Sequence, residues 1–152
     1  MDIKELKSLL NNKPIEDQLD TLTEVFPDTV LFTTSFGIED QVLTHMIFEN
    51  KIRIHVATLD TGRLFPETYK VFNETLKKYQ KQIHVCFPDH EDIEKMVTGK
   101  GPYSFYYSKE NRIECCRIRK VVPLNRALKG KDVWISGIRA SQSDNRSNMD
   151  WL

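Results

Sequence analysis

The chain has 152 residues, 39% of them hydrophobic and 29% charged, which excludes a disordered or membrane-embedded polypeptide and fits one globular domain with its own core. Its 22 basic residues are matched by 22 acidic ones, so overall charge predicts no nucleic-acid partner, and any anion must be met by a local patch. No stretch approaches the roughly 20 apolar residues of a membrane span, the charged start "MDIKELKSLL" is no secretory leader, and the three cysteines are an odd number; a cytoplasmic protein with reduced thiols is expected.

In chain order, "DIKELKSLLNN" and "IEDQLDTLTEVF" carry leucine and isoleucine at helical spacing on either side of Pro14. They are expected as two short helices outside the main sheet, making residues 1–27 an N-terminal helical segment ahead of an α/β region over 28–152, all in one domain. "TVLFTTS" is β-branched and aromatic, a buried strand. "IEDQVLTHMIFEN" is a helix whose apolar stripe is expected through Val42, Leu43, Met46 and Ile47. "IRIHVATL" is a second strand. "LFPETYKVFNETLKKYQ" sets Phe65, Tyr69, Phe72, Leu76 and Tyr79 on one helical face, with Pro66 in the first turn. "QIHVCF" is a third strand and "HEDIEKMV" a short helix; "GKGPYSFYYS" is a loop. "NRIECCRIRKVV" is a helix that Pro123 should interrupt, and "PLNRALKG" restarts it and stops at Gly130. "DVWISGI" is a fourth strand, and "RASQSDNRSN" a polar loop.

This alternation predicts a mostly parallel, doubly wound α/β sheet. Ligands of such sheets sit beyond the carboxyl ends of the strands, so the loops "SFGIED", "LDTGRLFPET", "FPDHED" and "GIRASQSDNR" are read together. In the first, Ser35 offers a hydroxyl, Gly37 allows close approach, and the helix start favours an anion; a plain capped turn explains the same residues equally well. The loop has no P-loop lysine and carries Glu39 and Asp40 instead, which suits a modestly charged phosphate better than a triphosphate. In the second loop, Asp60, Thr61 and Gly62 make a sound βα turn, with Arg63 left over. In the last, Gly137 permits close approach, and Arg139 and Arg146 form either an anion clamp or a solvated loop.

Cys115 and Cys116 are adjacent, followed by Arg117, Arg119 and Lys120. Neighbouring Cα atoms are about 3.8 Å apart, so a disulfide between them would be strained. Zinc sites use C-x₂₋₄-C spacing with a second pair, which is absent here. Ligation of an iron–sulfur cluster, or one core and one incidental cysteine, both remain open. Cys86 lies in an apolar strand and is expected in the core. The four histidines show no ligand spacing.

Read together, "TTSFGIEDQVL", "LDTGRLFPETY", "ECCRIRKVVPLNRAL" and "WISGIRASQSDNR" resemble, in order, the assimilatory adenylyl-sulfate (APS) and phosphoadenylyl-sulfate (PAPS) reductases, from about residue 28 onward. The fold this implies is adenine nucleotide α-hydrolase-like, related to the PP-loop ATP pyrophosphatases. The implied reaction is reduction of APS to sulfite and AMP with electrons from thioredoxin or glutaredoxin, in sulfate assimilation and cysteine biosynthesis. The Cys-Cys pair marks the family's iron–sulfur branch, which generally prefers APS. The resemblance makes Cys115 and Cys116 half the ligands of a [4Fe–4S] cluster and sets Lys120 between cluster and sulfate. It implies a phosphate loop of Ser35, Phe36 and Gly37, and adenosine contacts from Leu59 and Gly137. Asp60, Thr61 and Gly62 join the substrate loop, and Arg139 and Arg146 hold the phosphosulfate.

The family pattern continues with a second C-x₂-C pair and a terminal nucleophilic cysteine, neither of which occurs in this sequence. The chain is therefore expected to be a fold incomplete at its C-terminus, with the cluster absent or incomplete and no activity alone. PAPS reduction, an ATP-dependent ligase and a non-catalytic nucleotide-binding module are the rivals. A homo-oligomer stays open.

Overall fold

The structure, a computed structural model, describes residues 2–138 and 150–152. Seven α-helices and four strands alternate among them: α1 (Ile3–Leu10), α2 (Ile15–Val25), β1 (Val30–Thr33), α3 (Ile38–Glu49), β2 (His55–Leu59), α4 (Pro66–Tyr79), β3 (His84–Cys86), α5 (His90–Lys100), α6 (Lys109–Cys116), α7 (Val122–Leu128) and β4 (Val133–Ser136). A 3₁₀ turn spans Ser104–Tyr106, and a π-helical turn, Arg117–Val121, joins α6 to α7. The strands form one sheet in the order β3-β2-β1-β4. β1 pairs in parallel with β4 (Val30 opposite Val133), and β2 in parallel with β3 (Ala57 opposite His84). The doubly wound parallel α/β sheet expected from the sequence is therefore present. The chain steps outward from β1 to β3 and then returns to β1's other side as β4. The topological switch point, where such sheets bind ligands, lies between β1 and β4.

The chain divides into two compact units, Met1–His55 with Asp132–Leu152, and Val56–Lys131. In the first, Asp2 caps α1: its carboxylate accepts from the amides of Lys4 and Glu5, and Glu5 reaches back to the Asp2 amide. Leu6, Leu10, Leu19 and Leu22 are buried along α1 and α2, and Val30, Leu31 and Phe32 in succession along β1. The Trp134 indole N–H donates to Thr33 Oγ1 at 2.8 Å, pinning β4 to β1. The inward line of α3 differs from the expected one. It runs through Asp40, Thr44 and Ile47, while Val42 is exposed. Asp40 joins that line because its carboxylate accepts from Ser35 and from the Gly137 amide, while Leu43 and Met46 of the expected stripe are half-buried.

In the second unit, Val56, Ala57 and Thr58 are buried in succession on β2, as in a strand covered on both faces. Pro66 opens α4, where its missing N–H has no helical partner to lose. The expected α4 stripe holds only in its C-terminal part: Phe72, Leu76 and Tyr79 are half-buried around Thr75, whereas Phe65 and Tyr69 are exposed. Met96, Cys115 and Ile118 form an apolar cluster flanked by Ile93, Val97 and Phe105. A Lys100–Glu114 ion pair at 2.6 Å adds a link between α5 and α6.

As expected, the helix does not run smoothly through Pro123, but it does not break and restart there. The chain instead widens into a π turn ahead of it, in which the Val122 amide donates to the Arg117 carbonyl, five residues back. A proline at 123 offers no N–H to the Arg119 carbonyl and would crowd it in a regular α-helix. One widened turn relieves that crowding while the helix continues with Pro123 buried.

Candidate functional site

At the switch point, β1 is followed by Thr34, Ser35, Phe36 and Gly37, and then α3 begins. Asp40, in the first turn of α3, is 6% exposed. Its Oδ2 accepts from both the Ser35 amide and the Ser35 hydroxyl at 2.6 Å each, and its Oδ1 accepts from the Gly137 amide at 3.0 Å. A buried carboxylate is stable only when its lone pairs are met in this way. One side chain thus ties the loop after β1 to the loop after β4. Of the sequence-predicted residues, Ser35 and Gly137 are brought together here, with Asp40 between them. The Ser35 hydroxyl proton is committed to Asp40, which leaves its oxygen as an acceptor. Gly137 is required by close approach: a Cβ there would lie 2.2 Å from Asp40 Oδ1.

The left-handed conformation in this loop falls on Phe36 (φ 63), held by its amide donating to Thr34 Oγ1 at 3.0 Å. A buried aromatic at positive φ is rare, and such strain persists where the surroundings over-determine it. Gly37 itself is extended (φ −67), and a Cβ there would meet nothing closer than 3.6 Å. Its contribution is open space beside a helix start that has no side-chain cap.

In the second unit, the loop after β2 is held by β3 and by its own groups. The Asp60 amide donates to the Cys86 carbonyl at 3.1 Å, the Gly62 amide to Asp60 Oδ1 at 2.8 Å, and the Arg63 amide to Thr61 Oγ1 at 3.2 Å. The Tyr69 hydroxyl lies 2.9 Å from each oxygen of Asp60, which is itself buried. Its hydrogen bond to Asp60, then burial and that carboxylate's charge, push the Tyr69 phenol above its ordinary value. Gly62 takes φ 70, the turn position that glycine fills without strain. Three backbone donors are already spent, two within the loop and one on β3, so this loop is a preformed rim rather than an anion nest. Leu59 ends β2, half-buried, just ahead of it.

From the π turn, Arg119 Nη1 donates to the Thr61 carbonyl at 2.6 Å. Arg119 is 9% exposed, its Nε has no partner, and Nη1 would stand 3.4 Å from a Cβ at Gly62. Lys120, the cation singled out from the sequence, is exposed. Arg63 donates to the Pro102 carbonyl, and its guanidinium carbon lies 5.2 and 4.9 Å from the ring centroids of Tyr103 and Phe105.

Cys115 faces the cluster of Met96 and Ile118, whereas Cys116 is exposed. Cys86 is buried, as expected of a core strand residue. Burial pushes its thiol above the ordinary value, against a smaller pull downward from Arg126. Among the described residues no group of three or more His, Cys, Asp or Glu side chains could hold a metal ion. Two adjacent thiols in unlike surroundings are half of a Cys₄ set, so these residues do not by themselves fit a four-iron cluster. Arg139 and Arg146, the expected anion clamp, lie outside the described residues.

Asp40 and Tyr69 were missed as site residues by sequence reasoning, and Arg119 was read only as part of a basic cluster. An acidic residue in a helix's first turn reads as a favourable dipole partner, and nothing local signals that it bonds to residue 137. The phosphoadenosine phosphosulfate reductase domain matches residues 29–152. The chain is 50% identical over 117 residues to adenosine 5'-phosphosulfate reductase of Sinorhizobium fredii (strain USDA 257), covering 77% of this chain and 47% of that protein. It is 41% identical over 142 residues to 5'-adenylylsulfate reductase 3, chloroplastic, of Arabidopsis thaliana, covering 93% of this chain and 30% of that protein. It thus spans about half the length of the bacterial relative and less of the plant one. Among solved structures it is similar to phosphoadenylyl-sulfate (PAPS) reductase from Candida auris in a phosphate complex, with TM-score 0.74 and 23% identity over 91% of this chain and 69% of that one; this is a likeness of fold. With the domain match covering four-fifths of its residues, the chain belongs to the phosphoadenosine phosphosulfate reductase domain family.

Proposed function

We propose that the chain binds adenylyl sulfate and AMP and serves thioredoxin-dependent reduction of APS to sulfite in the cytoplasm. The observation that carries this reading is its 50% identity over 117 residues to a protein named for APS. In the first unit, Ser35, Phe36, Gly37 and Gly137 would meet the substrate on a frame fixed by Asp40. In the second, Leu59, Asp60, Thr61 and Gly62 would do so on a frame fixed by Tyr69 and Arg119. Arg139, Arg146 and Lys120 would neutralise the sulfuryl oxygens, which otherwise repel an incoming thiolate.

In the reaction a thiolate attacks the APS sulfur, the S–O bond breaks, and AMP departs, leaving an S-sulfocysteine. The dithiol of thioredoxin then releases sulfite and becomes a disulfide. Of this chain's three cysteines, Cys86 is buried with a raised thiol and two form the adjacent pair. With the pair assigned to cluster ligation on this reading, no cysteine is left for the attack, and the chain by itself binds without turning over.

Calorimetry tests this. APS and AMP should each give a saturable heat, PAPS should compete less well than APS, and reduced thioredoxin with APS should yield no sulfite. Absence of heat with both APS and AMP refutes the binding claim. Tighter binding of PAPS would assign the chain to PAPS reduction instead.

A further inference from the structure

We propose that Arg119 is a positioning residue for the nucleotide-reading loop Leu59–Gly62, and that it makes the shape of this loop depend on the π-helical turn following Cys115 and Cys116. The inference rests on the nucleotide reading above. Arg119 is nine-tenths buried, and Nη1 donates to the Thr61 carbonyl at 2.6 Å. That carbonyl belongs to the turn whose other groups are engaged by Asp60 Oδ1 and Thr61 Oγ1. The Cys86 carbonyl holds the start of the loop through the Asp60 amide, and the guanidinium is the side chain that braces the Thr61 carbonyl from outside the loop and its following helix. Its Nε is buried without a partner, a cost that a purely architectural side chain such as methionine would avoid.

Arg119 sits mid-way through the π turn, one helical turn before Pro123. In a regular α-helix the inserted residue would be removed, and side chains on either side would rotate relative to one another by about a quarter turn. The widened turn lets Cys115, Ile118 and Arg119 all be buried while Pro123 is also buried. Thiol pair and substrate loop are thereby joined through one side chain, across 58 positions of sequence. A charged donor on a carbonyl, rather than on the ligand, separates positioning from direct anion binding.

The test uses the full chain as Arg119→Met and Arg119→Lys. Amide hydrogen exchange is read at Gly62 and Arg63, with Phe36 and Gln41 as controls in the other unit. In Arg119→Met, exchange at Gly62 and Arg63 should quicken about tenfold or more, with the controls unchanged, from loss of a charged hydrogen bond. Arg119→Lys, which keeps the charge and one donor, should fall between and guards against misfolding of the methionine variant. Affinity for adenosine and for AMP should fall by the same factor, about tenfold, because the loop reads the nucleoside. A loss confined to AMP would make Arg119 a direct phosphate contact and overturn the inference. So would unchanged exchange at Gly62 and Arg63, whatever the ligand result. A wild-type chain that binds neither ligand refutes the nucleotide reading, and with it the positioning role, even where exchange shows the brace.

Discussion

Replacing Gly137 with alanine gives the sharpest perturbation of the switch point. The added Cβ would lie 2.2 Å from Asp40 Oδ1, 2.9 Å from the Asp40 amide nitrogen and 3.2 Å from Asp40 Cγ. The buried carboxylate cannot swing clear without releasing the Ser35 amide and hydroxyl, both 2.6 Å away. Overpacking of this kind costs about 1–3 kcal/mol, and loss of a hydrogen bond to a charged group about 1.5–3 kcal/mol more. A total of about 2.5–6 kcal/mol is expected. Gly37→Ala is the internal control. Its φ of −67 suits any residue, and the nearest atom would be 3.6 Å away, so it should be neutral or stabilise by up to about 1 kcal/mol. Urea unfolding reads both, as a shift in midpoint at constant slope. Asp40→Ala removes the 2.2 Å obstacle, so the cost of Gly137→Ala should shrink in that background by at least about 1 kcal/mol. A Gly137→Ala protein within about 0.5 kcal/mol of wild type, or additive effects with Asp40→Ala, would refute the account of Asp40 as the tie between the two loops.

Tyr69→Phe removes the hydroxyl from the two Asp60 oxygens and should destabilise by about 1–2 kcal/mol in thermal unfolding. The phenol is raised above 10.0 by that carboxylate, so the unfolded state releases its proton first, and the stability this group contributes is lost as pH rises past 10. The wild-type midpoint should therefore fall more steeply than that of Tyr69→Phe on the alkaline side; parallel profiles would count against the hydrogen bond. Iodoacetamide with peptide mass spectrometry should label exposed Cys116 well before buried Cys86 and Cys115, and equal rates at all three would contradict the burial described. Anaerobic iron and sulfide analysis should find fewer than the four irons of a Cys₄-held cluster, since the described residues offer one thiol pair; a stable complement of four would reverse that.

The strands and the existence of the helices were legible because each rests on local chemistry. Val30–Phe32 read as a buried strand and Val56–Thr58 as part of a second strand from their side chains alone, Pro66 announced the start of α4, and Cys86 read as core from its apolar neighbours. The direction in which each helix faces was less legible. The inward line of α3 includes Asp40, whose partners are residue 35 and residue 137, the second 97 positions away. Pro123 announces trouble in a helix, but whether the chain breaks or widens depends on burial on both sides of it. Cys115 and Ile118 before it and Pro123 itself all face the interior, so a break would expose apolar surface that one π turn keeps covered. The same turn decides between the two adjacent cations. Neighbouring residues on a helix point about 100° apart, and here Ile118 and Arg119 fill the inward arc, which leaves Lys120 exposed. Side-chain type favours neither from sequence, since both can bind an oxyanion. The Thr61 carbonyl, 58 positions upstream, accepts from a buried guanidinium, whose planar fork loses less on desolvation than an ammonium would. The inward cation is therefore Arg119, and the exposed Lys120 is left to whatever anion approaches from solvent.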